Sequence, residues 1–264
     1  MTTLRELFDG GQVTYGGWCG IPSPFAAELV GRSGFDWVTI DTQHGLVGYD
    51  TTVPMLQALS ATGTPAFVRV PWNQPDHIMK ALDAGAQGII VPMVGTADDA
   101  RRAVDSVKYP PLGHRSWGPV RSSFELPGYS PASANERTVV AAMIETPEGV
   151  ENMDAIMQVE GIDAIYVGPS DLGLSHGFEP TLDMPAGSDH EKLLLSVLEG
   201  CLRNHVVPGL HTAGVENATR WREAGFRMLT ISSDGAFLRS GATAALQRLR
   251  EGAPAAAASS SPYS

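Results

Sequence analysis

Along the chain, short apolar runs alternate with longer segments whose apolar positions recur at helical spacing. The runs predict strands over Val13–Cys19, Trp37–Asp41, Ala66–Val70, Gly88–Met93, Val139–Glu145, Ala164–Val167, Val207–His211 and Met228–Ser232. Between and after them, helical patterns cover Pro24–Arg32, Thr52–Ala61, Asp76–Ala84, Ala97–Val107, Val150–Val159, His190–Asn204, Val215–Ala224 and Gly235–Arg250. The strands are near-continuous hydrophobic stretches, as a parallel sheet covered on both faces requires. Several helices reach a glycine before the next strand, in "SGFDW", "AGAQGII", "VEGIDAIYV" and "AGFRMLTI", the turn that closes a helix and starts a strand in α/β folds. Eight such units in about 250 residues favour a (β/α)8 TIM barrel, one domain over residues 1–252, with an open α/β sheet as the alternative.

Two segments stand outside this repeat. Residues 108–135, "KYPPLGHRSWGPVRSSFELPGYSPASAN", form a Pro/Gly/Ser-rich connection whose length marks an active-site cover, an oligomer contact or a mobile loop. The Ala/Ser/Pro tail, 253–264, reads as disordered. The net charge of −11 argues against nucleic acid or an anionic membrane as the main partner. A small anionic substrate stays compatible, since one local cation can outweigh the global sign. Cys19 and Cys201 have no metal-like spacing, no apolar signal core opens the chain, and no apolar run is long enough to span a membrane. A cytoplasmic protein with reduced thiols is the expectation.

Barrel enzymes carry their chemistry at the C-terminal ends of the strands. Here the second strand ends in "IDTQHG", with Asp41 and His44; the third holds Arg69 in "FVRVP". The fifth ends at Glu145, the sixth leads through "GPSDLG" past Ser170 to Asp171, and the seventh ends at His211. Each has a plainer reading. Asp41 could cap the following helix, Arg69 could sit in a structural ion pair, and Glu145 and Asp171 could pair with arginines. His211 could simply line a pocket. Five such residues converging on one rim favour chemistry.

Two carboxylates from different strands, without a nearby Cys or an HxH pair, suit a hard divalent cation such as Mg²⁺, Mn²⁺ or Co²⁺. An arginine beside it would stabilise an anionic oxygen such as an enolate. Amides of "GPSDLG" would hold a substrate carboxylate, and His44, oriented by Asp41, would move a proton near neutral pH. The only lysines, Lys80, Lys108 and Lys192, end no predicted strand, which disfavours Schiff-base chemistry. No GxSxG, Walker A or strand–GxGxxG–helix motif is present.

The blocks "GFDWVTIDTQHG", "FVRVPWNQPDHIMKALDAGAQGIIVPMV", "AAMIETPEGVENMDAI" and "DAIYVGPSDLGLSHG" together resemble the HpcH/HpaI family of class II pyruvate aldolases, over about residues 12–250. The resemblance implies a (β/α)8 barrel and reversible cleavage of 4-hydroxy-2-oxo acids to pyruvate or hydroxypyruvate plus an aldehyde. It further implies a homo-hexamer, a trimer of dimers exchanging a terminal helix. By motif, the metal ligands fall on Glu145 and Asp171, the oxyanion-binding arginine on Arg69 and the Asp–His dyad on Asp41 and His44. The carboxylate-binding amides fall around Ser170 and Asp171. Asp83 would correspond to an acidic residue entering from a neighbouring subunit, and Trp18 to an aromatic beside the aldehyde. The chain departs from the pattern at Gln43, where an acidic residue is common, and at His211, where apolar residues are common. Oxaloacetate decarboxylation or a macrophomate-synthase-like condensation at the same site is the alternative, and a non-catalytic metabolite-binding barrel a more distant one.

Overall fold

The computed structural model describes residues 2–126 and 128–251; the tail expected at 253–264 lies outside them. A short helix, α1 (Leu4–Asp9), precedes eight strands: β1 (Thr14–Cys19), β2 (Trp37–Asp41), β3 (Ala66–Arg69), β4 (Gly88–Val91), β5 (Val139–Met143), β6 (Ala164–Val167), β7 (Val207–His211) and β8 (Met228–Ser233). Every neighbouring pair is parallel, and β8 returns to β1, closing the barrel. The expected (β/α)8 architecture is therefore observed, and the open sheet is not. Helices α2 (Pro24–Gly31), α3 (Tyr49–Thr62), α4 (Pro75–Asp83) and α5 (Ala97–Val107) follow the first four strands. Two short helices, α6 (Ser122–Glu125) and α7 (Pro131–Arg137), lie in the long connection. They are followed by α8 (Pro147–Glu151), α9 (Met153–Met157), α10 (Pro169–Ser175), α11 (Asp189–Asn204), α12 (Gly214–Ala224) and α13 (Asp234–Arg250).

The apolar residues divide into two cores. One fills the space between the strands and the surrounding helices, where Ile40, Val68, Ile89 and Ile165 meet Leu56, Ile78 and Leu194. The other fills the barrel interior, where Leu4, Leu7 and Phe8 of α1 pack on Trp37, Phe67 and Val139. Helix α1 thus plugs the N-terminal end of the barrel. Its i, i+3, i+4 apolar face and Thr3–Glu6 capping box hold six residues in helix, a segment too short to stand out by periodicity. The single helix expected over Val150–Val159 is two, α8 and α9, meeting at Asn152. There the Asn152 Nδ2 donates to Gly95 O at 3.0 Å, tying the break to the loop after β4.

The 108–135 connection runs from the end of α5 to the start of β5, at the N-terminal face of the barrel. Its contacts are with the C-terminal ends of α3 and α4: Ser60 bonds Glu125, Arg121 reaches Ala84 O, and Arg115 pairs with Asp83. It does not cover the strand C-termini of its own barrel. Buried polar groups anchor it. Asn135 accepts from Tyr109 N at 2.7 Å and returns a bond to Tyr109 O at 3.0 Å. The buried Lys108 Nζ donates to Asn135 O; burial lowers its pKa, against the pull of Asp163.

At the other end of the chain, α13 leaves the barrel after its first turns. Phe237 packs near Phe35 with ring centroids 6.2 Å apart, but residues 239–251 are exposed, Leu246 and Leu249 among them. Among the described residues no helix is long and apolar enough to cross a membrane.

Asn135→Ala leaves the buried Tyr109 amide without a partner and removes one of the two donors to its carbonyl, the other being Leu112 N. It should lower the unfolding free energy by about 1–3 kcal/mol, read as a reduced midpoint in urea.

Candidate active site

Strands β2 and β3 pair with Asp41 directly opposite Arg69, and their side chains form a buried ion pair. Arg69 Nη2 donates to Asp41 Oδ2 at 2.6 Å, and Nε to Oδ1 at 3.0 Å. Trp18 Nε1 on β1 adds a bond to Oδ2 at 3.1 Å. The amides of Gln43 and His44 reach Oδ1 at 3.0 and 3.2 Å. Burial alone would raise the Asp41 pKa, but Arg69, the Trp18 indole and the His44 amide outweigh it and hold the carboxyl below its usual range. The structural ion pair considered for Arg69 is therefore present, and Asp41 caps no helix, since Gly48 occupies that place before α3.

This changes the expected dyad. Asp41 fixes the main chain of His44, while among the described residues no hydrogen bond joins its carboxylate to the His44 ring. The carboxylate is already taken by five donors. The chain turns so sharply here that a Cβ on Gly45 would lie 2.2 Å from Asp41 O; glycine lets the imidazole stand exposed at the cavity mouth.

Glu145 follows β5 and is buried, 2% exposed. Its Oε1 accepts from Met93 N at 2.8 Å, and Met93 holds a left-handed φ of 56°, a strained conformation for a non-glycine residue. The other oxygen, Oε2, faces Gly168 at the end of β6. A Cβ at Gly168 would lie 2.8 Å from Glu145 Oε2 and 3.7 Å from Asp171 Oδ2. Two carboxylates from neighbouring strand ends thus converge on a space that only glycine leaves open. Burial pushes the Glu145 pKa up to about 7; the negative charge of Asp171 adds to this, and the Met93 amide and Arg69 act against it. Among the described residues neither carboxylate has an ion pair with an arginine. Such a donor set fits a hard divalent cation that keeps several waters; among the described residues, no cluster of three or more His, Cys, Asp or Glu offers a cage of protein ligands alone.

One cavity of about 480 Å³ at the C-terminal rim takes in Trp18, Asp41, His44, Arg69, Ser170, Asp171 and His211, and Glu145 adjoins it beside the lining residue Gly168. Trp18 stacks on Tyr166 with centroids 5.6 Å apart and meets the His211 ring edge-on at 4.8 Å. Burial, with a smaller effect from Arg69, lowers the His211 pKa to about 4. Asp83 is placed elsewhere. At the C-terminal end of α4 it pairs with Arg115 at 2.6 Å, on the opposite face of the barrel from this cavity. Tyr166 and Asp234 are among the lining residues that the sequence did not single out. Tyr166 lies inside an apolar run and looked like core. Asp234 follows β8, where the strand-end rule could have found it; it accepts from Gly20 N and Ile21 N, each at 3.0 Å.

The model of the HpcH/HpaI aldolase/citrate lyase family matches residues 15–240. The chain belongs to this family. Among its relatives, a hydroxypyruvate/pyruvate aldolase of Rhizorhabdus wittichii is 41% identical over 69% of this chain and 73% of its own. A 4-hydroxy-2-oxo-heptane-1,7-dioate aldolase of Salmonella arizonae is 33% identical over 93% of both chains. Among solved structures, an HpcH/HpaI aldolase/citrate lyase family protein from Burkholderia cenocepacia superposes with a TM-score of 0.86 at 31% identity, covering 93% of this chain and 98% of its own. The two curated relatives carry aldolase names, which places this HpcH/HpaI family member among the carbon–carbon lyases.

Asp41→Ala strands a buried guanidinium and should cost about 3–5 kcal/mol of stability, measured by urea unfolding. Because the Asp41 pKa is depressed, the stability it contributes is complete above its ordinary value of 3.8 and is lost as pH falls through its lower folded value. Glu145 has the opposite sign. In metal-free protein, stability should fall as pH rises from 4.5 to about 7, by at most about 3 kcal/mol. Glu145→Gln should flatten that slope in a series of thermal melts under EDTA.

Proposed function

We propose that this protein is a class II aldolase that reversibly cleaves 4-hydroxy-2-oxo acids to pyruvate, or hydroxypyruvate, and an aldehyde. The observation that carries this is the convergence of Glu145 and Asp171 on the space beside Gly168, where Gly168 and Asp171 line the same cavity as the fixed guanidinium of Arg69. The lysines support it. Lys80 lies over the Tyr49 ring, Lys108 is bound at the N-terminal face, and Lys192 pairs with Asp189 on α11. None can reach the cavity as a Schiff-base nucleophile.

Glu145 and Asp171 would hold a divalent cation, Mg²⁺, Mn²⁺ or Co²⁺, which when bound supplies Lewis-acid polarisation of the 2-oxo group. The protein's residues do the rest. Backbone amides around Ser170 and Asp171, at the start of α10, receive the substrate carboxylate. Arg69 spends Nε and Nη2 on Asp41, and no described residue accepts from Nη1. That nitrogen is free to donate to the 2-oxo oxygen as negative charge builds there. His44, its main chain fixed by Asp41, removes the proton of the C4 hydroxyl. The C3–C4 bond breaks, its electrons pass toward the 2-oxo oxygen, C4 leaves as the aldehyde carbonyl, and C3 then takes up a proton. Trp18 walls the aldehyde end.

The exposed stretch of α13 supports a homo-hexamer of three dimers in which this helix is exchanged, and Asp83 would serve a neighbouring subunit's cavity. A cytoplasmic location accords with the reactants, which are small soluble acids and aldehydes.

Proton–deuterium exchange of the pyruvate methyl group, followed by NMR, tests the chemistry without knowledge of the aldehyde. Exchange should vanish on chelation, return with added Mg²⁺, Mn²⁺ or Co²⁺, and be lost in Glu145→Ala. An absence of exchange with pyruvate and hydroxypyruvate under every metal would reject the proposal. His44→Ala should slow substrate cleavage by about 10²–10⁴-fold. Sizing at several concentrations tests the hexamer, which a stable, fully active monomer would rule out together with the role of Asp83.

A further inference from the structure

At the cavity wall, three polar side chains form a chain that the cleavage chemistry leaves unused. Tyr166 and Thr230 point into the barrel interior from β6 and β8 and are fully buried, while His211 at the end of β7 is half-buried and lines the cavity. The Tyr166 hydroxyl bonds His211 Nδ1 at 3.1 Å and also bonds Thr230 Oγ1. Thr212 Oγ1 donates to Thr230 O, tying the ends of β7 and β8 together. With Nδ1 engaged and the ring set edge-on to Trp18, Nε2 is the ring nitrogen left for a ligand, and no described residue bonds it.

We infer that His211, held by Tyr166 and Thr230, reads a hydroxyl group on the aldehyde, and that the cavity selects a short uncharged hydroxyaldehyde over one bearing a second carboxylate. This rests on the aldolase reading and names the substrate class of that site.

The hydrogen bonds admit two proton arrangements. If Thr230 donates to Tyr166 and Tyr166 to Nδ1, then Nε2 carries the proton and donates into the cavity. If Tyr166 donates to Thr230 and Nδ1 donates to Tyr166, then Nε2 is an acceptor. A hydroxyl can answer either state, because it both donates and accepts; a methyl group can answer neither and leaves a buried polar nitrogen unmatched. Burial holds the ring neutral, with its pKa near 4, so it is no counter-ion for a carboxylate. The charges around it point the same way. Arg69 is the one permanent cation among the described residues lining the cavity, and it is committed to Asp41 and the 2-oxo end. With Asp171 given to the cation, the remaining charged carboxylate of the lining is Asp234, which is again anionic. A second carboxylate on the aldehyde would therefore meet repulsion without a partner.

The test is the condensation of pyruvate, with metal present, onto three aldehydes: glycolaldehyde, its isostere propanal, and succinic semialdehyde. Glycolaldehyde should exceed propanal in kcat/KM by roughly tenfold, the worth of one good hydrogen bond, mainly through KM, and should also exceed succinic semialdehyde. In His211→Leu the glycolaldehyde-to-propanal ratio should fall to about one, and in His211→Gln, which keeps a neutral polar group, part of it should survive. Tyr166→Phe, which frees Nδ1 and the ring, should reduce the ratio through KM. Metal-dependent methyl exchange in each variant shows that the 2-oxo end is still assembled. A ratio near one in the wild type, a ratio unchanged in His211→Leu, or a preference for succinic semialdehyde overturns the inference while leaving the aldolase reading intact. A wild type without methyl exchange removes both.

Discussion

The ion pair between Asp41 and Arg69 is the constraint on which the cavity depends. Taking both charges out of water costs several kcal/mol for each ion, so the arrangement persists only because the carboxylate is saturated. Five donors from β1, β3 and the 41–44 turn meet on its two oxygens. One side chain thereby sets three things together: the direction of the guanidinium, the plane of the Trp18 indole, and the backbone that carries His44. Neighbouring parallel strands place the pair in register, so the geometry is inherited from the barrel and not from a loop. That is the kind of support a preorganised site needs.

The opposite corner of the cavity is built on an imbalance. Glu145 and Asp171 both approach the backbone of Gly168, and among the described residues neither has a cationic side chain paired with it. Glu145 is held there by the amide of a strained residue, Met93. The fold compensates the charge of Asp41 with Arg69, and gives Glu145 no ion-pair partner among the described residues. One rim therefore contains a closed electrostatic circuit beside an open one.

Much of this was legible in the sequence because a barrel turns linear order into a single rim. Once eight βα units were recognised, Asp41, Arg69, Glu145, Asp171 and His211 had to gather at one end, and they line or adjoin one cavity. The partner of Asp41 was not legible, since it depends on the register between β2 and β3, a tertiary property. Asp41 therefore looked like an orienting group for the His44 ring when it is the anchor of Arg69. Tyr166 was hidden because an inward-facing tyrosine in an apolar strand has the same pattern as core. The site of the 108–135 segment followed from topology: a connection from helix to strand lies at the N-terminal face, whatever its length. Asp83, beside that segment, belongs to the same face for the same reason.

The placement of charge also bears on how fast a substrate is captured. A 2-oxo acid is an anion, and it must approach a chain of net charge −11 past the exposed Asp171, with the attracting guanidinium of Arg69 buried. Over distances longer than the screening length of the solvent, roughly 8 Å at physiological ionic strength, the field opposes arrival; attraction begins only inside the cavity. Such a molecule gains no electrostatic steering for its substrate, and added salt, by shortening the reach of the repulsion, speeds encounter instead of slowing it.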